Sequence, residues 1–263
     1  METLADLRVR RAIECRLAPG RELRSLTEAG EFLNERGLLT RTPDCALPSL
    51  YEACQEEPYR AGGHGFASWP ATKWPWFGEL AERGYLVTAI HRGKNLLLTD
   101  AVARLIDPIA RAEIARWHAA DRGAARLLDH LAAAGPSELD DLRTELGMSR
   151  DGLRSLRAPL ERSGAIIARS ADVTAGEGHL HTSELFRWDQ AYPDSRDTDT
   201  TPARALADLV VAGVRAAVVV PESEPRKWFA WPSYWHPALM DDLIREGRLR
   251  QVEGFICAGS LFR

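Results

Sequence analysis

The sequence predicts a mostly α chain with small β-hairpins, an α+β protein assembled from repeated units of three short helices and a hairpin. Three observations predict it. Leucines recur at helical spacing in short runs, each opened by a capping hydroxyl and closed by glycine. Pairs of strand-like runs joined by a turn follow those helices. The same order of elements returns along the 263 residues as a repetition of pattern, without a literal sequence repeat.

The clearest copy runs from Arg122 to Trp188. Leu127, Leu128 and Leu131 lie on one face of a first helix that Gly135-Pro136 stops. Ser137 is expected to cap a second helix carrying Leu139, Leu142 and Leu146 up to Gly147. Ser149 caps a third, with Leu153, Leu156 and Leu160 inward and Gly164 at its end. Pro159, inside this third helix, should kink it or loosen its first turns. Ala165–Ala168 and His179–Phe186 then read as strands around the turn Ala175-Gly176-Glu177-Gly178. Three helices and a two-stranded wing is the winged-helix (helix-turn-helix) order, so tandem winged-helix units are expected, three in number.

The flanking copies are less regular. Residues 1–22 hold a leading helix with Leu4, Leu7, Ala12 and Ile13, and Ser25 or Thr27 caps the next, closed by Gly37. Leu38-Leu39-Thr40 is a brief extended piece, Pro48-Ser49 starts a short helix, and Phe77–Arg83 continues as another. Tyr85–Ile90 and Leu96–Thr99 form a hairpin around His91–Asn95. Residues 101–120 read as a connecting helix. After a polar linker, Thr201-Pro202 opens a helix through Leu206, Leu209 and Val210. A buried strand or tight connection over Ala216–Val220, short helices over Pro225–Trp231 and Pro237–Glu246, and a hairpin over Leu249–Cys257 complete the chain. The expected units are an irregular N-terminal winged helix with its leading helix (1–110), a central one (111–192) and a C-terminal one (200–263).

Composition is that of a soluble globular protein, 45% hydrophobic and 27% charged. A net charge of −4 argues against indiscriminate nucleic-acid binding while allowing a local basic groove. Cys15, Cys45, Cys54 and Cys257 form no CxxC pair, so reduced thiols, no metal and a cytoplasmic setting are expected. The longest apolar run, Ala216–Val220, is too short to cross a bilayer, so no membrane is involved. Glycine-rich phosphate loops and a nucleophile elbow are missing from the sequence, which leaves a nucleotide cofactor unsupported.

Candidate binding residues come from charge and aromatic spacing. Arg150, Arg154 and Arg157 share one face of the third central helix, the element a helix-turn-helix lays into the DNA major groove. The plain alternative is a solvated face, and the acidic Glu138, Asp140, Asp141 and Glu145 keep the preceding helix off phosphate. Arg92 and Lys94 at the first hairpin's tip are placed to touch a phosphate backbone. Trp69, Trp74 and Trp76, with Lys73 among them, offer a stacking platform for bases or, more plainly, a core hub for a small domain. His179 and His181 share a strand face but lack a third ligand nearby, so they are wing or core residues.

Several segments carry a resemblance. Phe32–Leu39, Leu47–Ala53, Trp74-Pro75-Trp76, Leu160–Ala165 and the terminal helix and hairpin resemble the AlkZ/YcaQ family of bacterial DNA glycosylases, particularly its shorter relatives. The resemblance implies three tandem winged helices in a concave shape that embraces double-stranded DNA, and excision of alkylated bases or opening of interstrand crosslinks. Family glycosylases carry a Gln-x-Gln or Gln-x-Asp motif just after the first helix; the corresponding place here is Thr40-Arg41-Thr42. A hydroxyl can position water but carries no negative charge to face an oxocarbenium-like centre. The catalytic candidates are therefore Thr40, Thr42 and, two residues on, Asp44, whose plain role is a turn residue after proline. The alternative to a repair enzyme is a non-catalytic winged-helix transcriptional regulator or a protein-interaction module.

Overall fold

Caps and glycine stops set the helix boundaries along a computed structural model that describes residues 2–57, 69–175, 178–193 and 200–259, the side chains of 170–182 excepted. Helix α1 (Leu4–Glu14) opens on a capping box in which Thr3 Oγ1 accepts from the Asp6 amide at 3.2 Å and Asp6 accepts from the Thr3 amide at 2.9 Å. Ser25 caps α2 (Leu26–Arg36), which stops at Gly37 in the left-handed region. A Cβ at Gly37 would lie 2.9 Å from Val102, so the stop is also a close approach. Strand β1 (Leu38–Thr40) and α3 (Leu50–Cys54), capped by Ser49, follow. Then come α4 (Trp76–Glu82), the hairpin β2 (Leu86–His91) and β3 (Lys94–Leu98), and the long α5 (Asp100–Ala120).

The central stretch holds α6 (Arg122–Ala134), β4 (Ser137–Glu138), α7 (Leu139–Leu146), α8 (Arg150–Ser163), β5 (Ile166–Ala175), β6 (Gly178–Arg187) and the single turn α9 (Trp188–Ala191). The last stretch holds α10 (Pro202–Ala217), β7 (Val219–Pro221), α11 (Leu239–Arg245), β8 (Leu249–Val252) and β9 (Phe255–Ala258). Each stretch thus closes a small antiparallel sheet, and the strand order is the same in all three: β1-β3-β2, β4-β6-β5 and β7-β9-β8. Leu39 faces Leu97, Ile167 faces Phe186 and Val220 faces Ile256.

Leucines expected inward in the centre are inward: Leu127, Leu128, Leu131, Leu142, Leu146, Leu153 and Leu160 are buried, and Leu139 and Leu156 pack at the edge of the same core. Phe32, Leu33, Leu50, Tyr51, Phe77 and Leu80 form a separate core beside the first sheet. The largest core joins the first and last sheets through α5 and α10, with Leu96, Ile106, Leu209, Val220, Trp228 and Ile256 in one cluster. Gly213 makes that junction possible, because a Cβ there would sit 2.6 Å from the Trp228 ring. Helix α1 lies on the last sheet: Leu4 and Leu7 pack with Val219 and Cys257, and Arg11 Nη1 donates to the Ala217 carbonyl at 2.6 Å.

Some local expectations are corrected. Ser137 does not cap α7; it is a strand residue paired with Leu185, Glu138 takes the cap position, and the hydroxyl donates to Gly135 O at 3.0 Å. Helix α8 continues through Pro159, since proline fixes a helical φ and the carbonyl it orphans belongs to exposed Ser155, which water can reach. The helix expected over Pro225–Trp231 is only a 3-10 turn, Pro225–Lys227, and a second 3-10 turn, Pro232–Tyr234, follows it. Helix α10 runs on to Ala217, so the strand expected over Ala216–Val220 is only Val219–Pro221. All four cysteines are free. Among the described residues, no helix is long and apolar enough to cross a membrane.

Candidate functional site

The loop that leaves β1 folds back on itself. Thr40 and Arg41 are tied to the start of α3: the Thr40 amide and hydroxyl both donate to Pro48 O, at 2.9 and 3.3 Å, and the Arg41 carbonyl accepts from Ser49 Oγ at 3.0 Å. Thr40 is buried, and its hydroxyl is consumed inside the loop. It is therefore a structural residue, contrary to the expectation that it could hold a catalytic water. Thr42 stays partly buried, and its carbonyl accepts from the Asp44 amide at 2.9 Å.

That turn delivers Asp44 to the hairpin β2–β3. Its Oδ1 lies 3.3 Å from Nε2 of His91, and its Oδ2 accepts from the Lys94 ammonium. His91 is fully buried, and its Nδ1 faces the Trp228 carbonyl at 2.7 Å. A carbonyl only accepts, so Nδ1 is the donor in that contact. Burial alone would raise the Asp44 carboxyl, but the hydrogen bonds from His91 and Lys94 outweigh it and hold the group at about 2. Asp44 is thus an ionised, half-buried carboxylate clamped between two donors, and not merely a turn residue. Lys94 correspondingly sits in a strand beside this carboxylate, so the tip does not offer it as a free cation; Arg92 remains exposed.

Asp44, Cys45 and His91 place one potential ligand atom each within 4.8 Å of one another. The donor set suits a metal poorly. Burial pushes the Cys45 thiol up to about 12, the Asp44 oxygens already face His91 and Lys94, and the ammonium would repel a cation.

Beside the loop stands the aromatic cluster. Trp69 and Trp74 stack at 6.3 Å between ring centres, Tyr51 meets Trp69 edge-on at 5.7 Å, and Tyr51 Oη donates to the Trp74 carbonyl at 2.7 Å. Arg41 lies over the Trp69 and Phe77 rings at 4.9 and 5.7 Å, an anchor that holds the Thr40–Thr42 turn against the cluster. Trp69 and Trp76 pack against the neighbouring core, whereas Trp74 is 51% exposed. Lys73 spans the Trp76 ring at 5.6 Å and donates to Cys54 O at 3.4 Å. The cluster is partly core hub and partly open platform.

Arg150 and Arg154 on α8 are exposed. Arg157 is not part of their free face: it is half-buried, 3.5 Å from Glu161, with Nη1 making no hydrogen bond. Burial, only partly offset by Arg157, raises the Glu161 carboxyl. The backbone of His179 and His181 lies in β6, opposite Thr174 and Asp172, while their side chains fall outside the described residues. His91 and Arg41 are the site residues that sequence reasoning missed. Nothing near His91 in sequence marks it, because Asp44 is 47 positions away.

Helices feeding three small antiparallel sheets of one strand order, among the described residues, make this a mostly helical α+β protein. The solved structure of Streptomyces sahachiroi DNA glycosylase AlkZ has this fold: it aligns with 95% of the present chain and 70% of its own, at TM-score 0.55 and 15% identity. The likeness announced by the scattered sequence segments is thus a likeness of the whole fold. No protein-family model matches the chain, and comparison with curated proteins finds no significant match.

Proposed function

We propose that this chain is a cytoplasmic DNA-binding protein of three winged-helix units, of the alkylpurine DNA glycosylase kind, acting in repair on alkylated double-stranded DNA. The observation that carries it is the fold shared with DNA glycosylase AlkZ across nearly the whole chain. The strand order repeated in three sheets supports reading them as winged helices over residues 1–110, 111–192 and 200–263, and α1 packs on the last sheet. Arg150 and Arg154 at the start of α8 are the recognition-helix cations, and Trp74 with Lys73 supplies a face for an unstacked base.

For the chemistry, Asp44 takes the part that the altered Thr40-Arg41-Thr42 turn cannot. Cleavage of an N-glycosidic bond builds positive charge at the anomeric carbon, and a carboxylate fixed as an anion stabilises that charge. With its pKa near 2, Asp44 is a weak base but is fully ionised at neutral pH. Thr42, two residues earlier, is the remaining hydroxyl able to orient the attacking water. Neither a metal nor a nucleotide cofactor enters this scheme.

One observation favours a second reading, binding without cleavage: both Asp44 oxygens are already engaged by His91 and Lys94. Incubation with duplex carrying N7- or N3-alkylated purines, followed by scoring of abasic sites, separates the two. Abasic sites that appear with the wild-type chain and vanish with Asp44→Ala establish the glycosylase. Binding without abasic sites leaves the non-catalytic regulator.

A further inference from the structure

Between the β2–β3 tip, α5 and α8 lies a cleft of about 290 Å³ lined by Arg92, Arg116 and Arg162 together with Trp117, Pro159 and Ser163. We propose that this cleft binds phosphate, taking a backbone phosphodiester of a nucleic-acid strand; the strand as source rests on the DNA-binding reading above, the phosphate chemistry does not.

Three features argue for it. First, the charge is concentrated, and two of the three guanidiniums are uncompensated. Neither the Arg92 nor the Arg162 side chain has an acidic or hydrogen-bonding partner among the described residues, and no carboxylate lines the cleft. Like charges repel, so guanidiniums gathered around one opening are stabilised when an anion with several oxygens enters.

Second, Arg116 is held in place, and the elements that carry the other two cations are docked together. Buried Glu113 takes Arg116 Nε on both oxygens, each at 3.0 Å, and Tyr234 Oη donates to the same carboxylate at 2.8 Å. The Arg116 guanidinium also lies 4.6 Å over the Trp117 ring, whose Nε1 donates to Ser163 Oγ at 3.0 Å. Its Nη1 has no partner among the described residues. The hairpin tip is pinned as well: Ala230 N donates to Ile90 O at 3.2 Å, and a Cβ on Gly93 would stand 3.0 Å from Arg162 Cδ. This hairpin is therefore docked on α8 instead of standing free as a flexible wing, so folding fixes the Arg116 guanidinium and the backbone positions from which Arg92 and Arg162 reach the opening.

Third, the walls beside the guanidiniums are apolar. Trp117 and Pro159 suit a sugar next to a phosphate better than a bare ion, and the volume sits at the low end for small-molecule sites, enough for one segment of a strand.

The test is a salt titration of binding to a short plain duplex by fluorescence anisotropy, comparing wild type with Arg92→Ala/Arg162→Ala. Both side chains are exposed, and thermal melting should be unchanged. Loss of the contact is expected to weaken binding about tenfold at low salt and to make the slope of log affinity against log salt less negative by about one. Arg104→Ala/Arg245→Ala, which removes two exposed arginines elsewhere, should leave both unchanged. Wild-type binding with an unaltered double variant overturns the cleft assignment and spares the DNA reading. If wild type binds no duplex at low salt, titration with inorganic phosphate and deoxyadenosine monophosphate decides: binding lost in the Arg92→Ala/Arg162→Ala variant keeps the phosphate site with a free nucleotide as its source, and no binding overturns it.

Discussion

Asp44→Asn tests the centre of the proposed site without depending on any substrate. In the folded chain the carboxyl is held at about 2, against 3.8 for an open-chain aspartate. That difference corresponds to roughly 2 kcal/mol in favour of the fold at neutral pH. Lys94 is half exposed, so solvent screens its part, and the net contribution is about 1–2 kcal/mol, carried mainly by the buried His91. The folded pKa is depressed, so this stability is present above pH 3.8 and is lost as pH falls toward 2, with about half gone near pH 3. An asparagine amide keeps the shape but not the charge. Thermal melts should place Asp44→Asn about 3–6 °C below wild type at pH 7, with the gap roughly halved at pH 3. A gap of the same size at both pH values, or none at pH 7, would refute the ion cluster as the structure arranges it.

Three further outcomes follow from the packing and the exposed cations. Arg150→Glu with Arg154→Glu should weaken duplex binding and flatten its salt dependence while leaving the melting curve in place; unchanged affinity would remove α8 from the interface. Trp188→Phe takes away the indole N–H that Asp107 Oδ1 accepts at 2.8 Å, leaving that buried carboxylate to Arg111, and should cost about 1–3 kcal/mol in urea unfolding. Gly213→Ala drives a methyl into the Trp228 ring, 2.6 Å away, and should cost about 1–3 kcal/mol by the same measure, with retention of wild-type stability showing that α10 can shift.

The sequence by itself determined what depends on neighbours a few positions apart. The Ser25, Ser49 and Ser149 caps, the left-handed stops at Gly37, Gly147 and Gly164, and the inward leucines of the central helices all follow from helical spacing and local hydrogen bonding. Arg157 could have been recognised too, since Glu161 stands one helical turn on. Ser137 shows where that logic stops. A hydroxyl after a Gly-Pro stop reads as a cap, but a strand partner from β6, distant in sequence, claims its backbone instead.

Tertiary structure alone decided the rest, because long-range contacts depend on how units dock and leave no periodic mark on the chain. Docking sets α1 on the last sheet and joins the first and last sheets through α5 and α10. It also brings the Trp228 carbonyl to His91 across 137 positions and His91 to Asp44 across 47, turning a residue that locally looks like a turn former into a clamped anion.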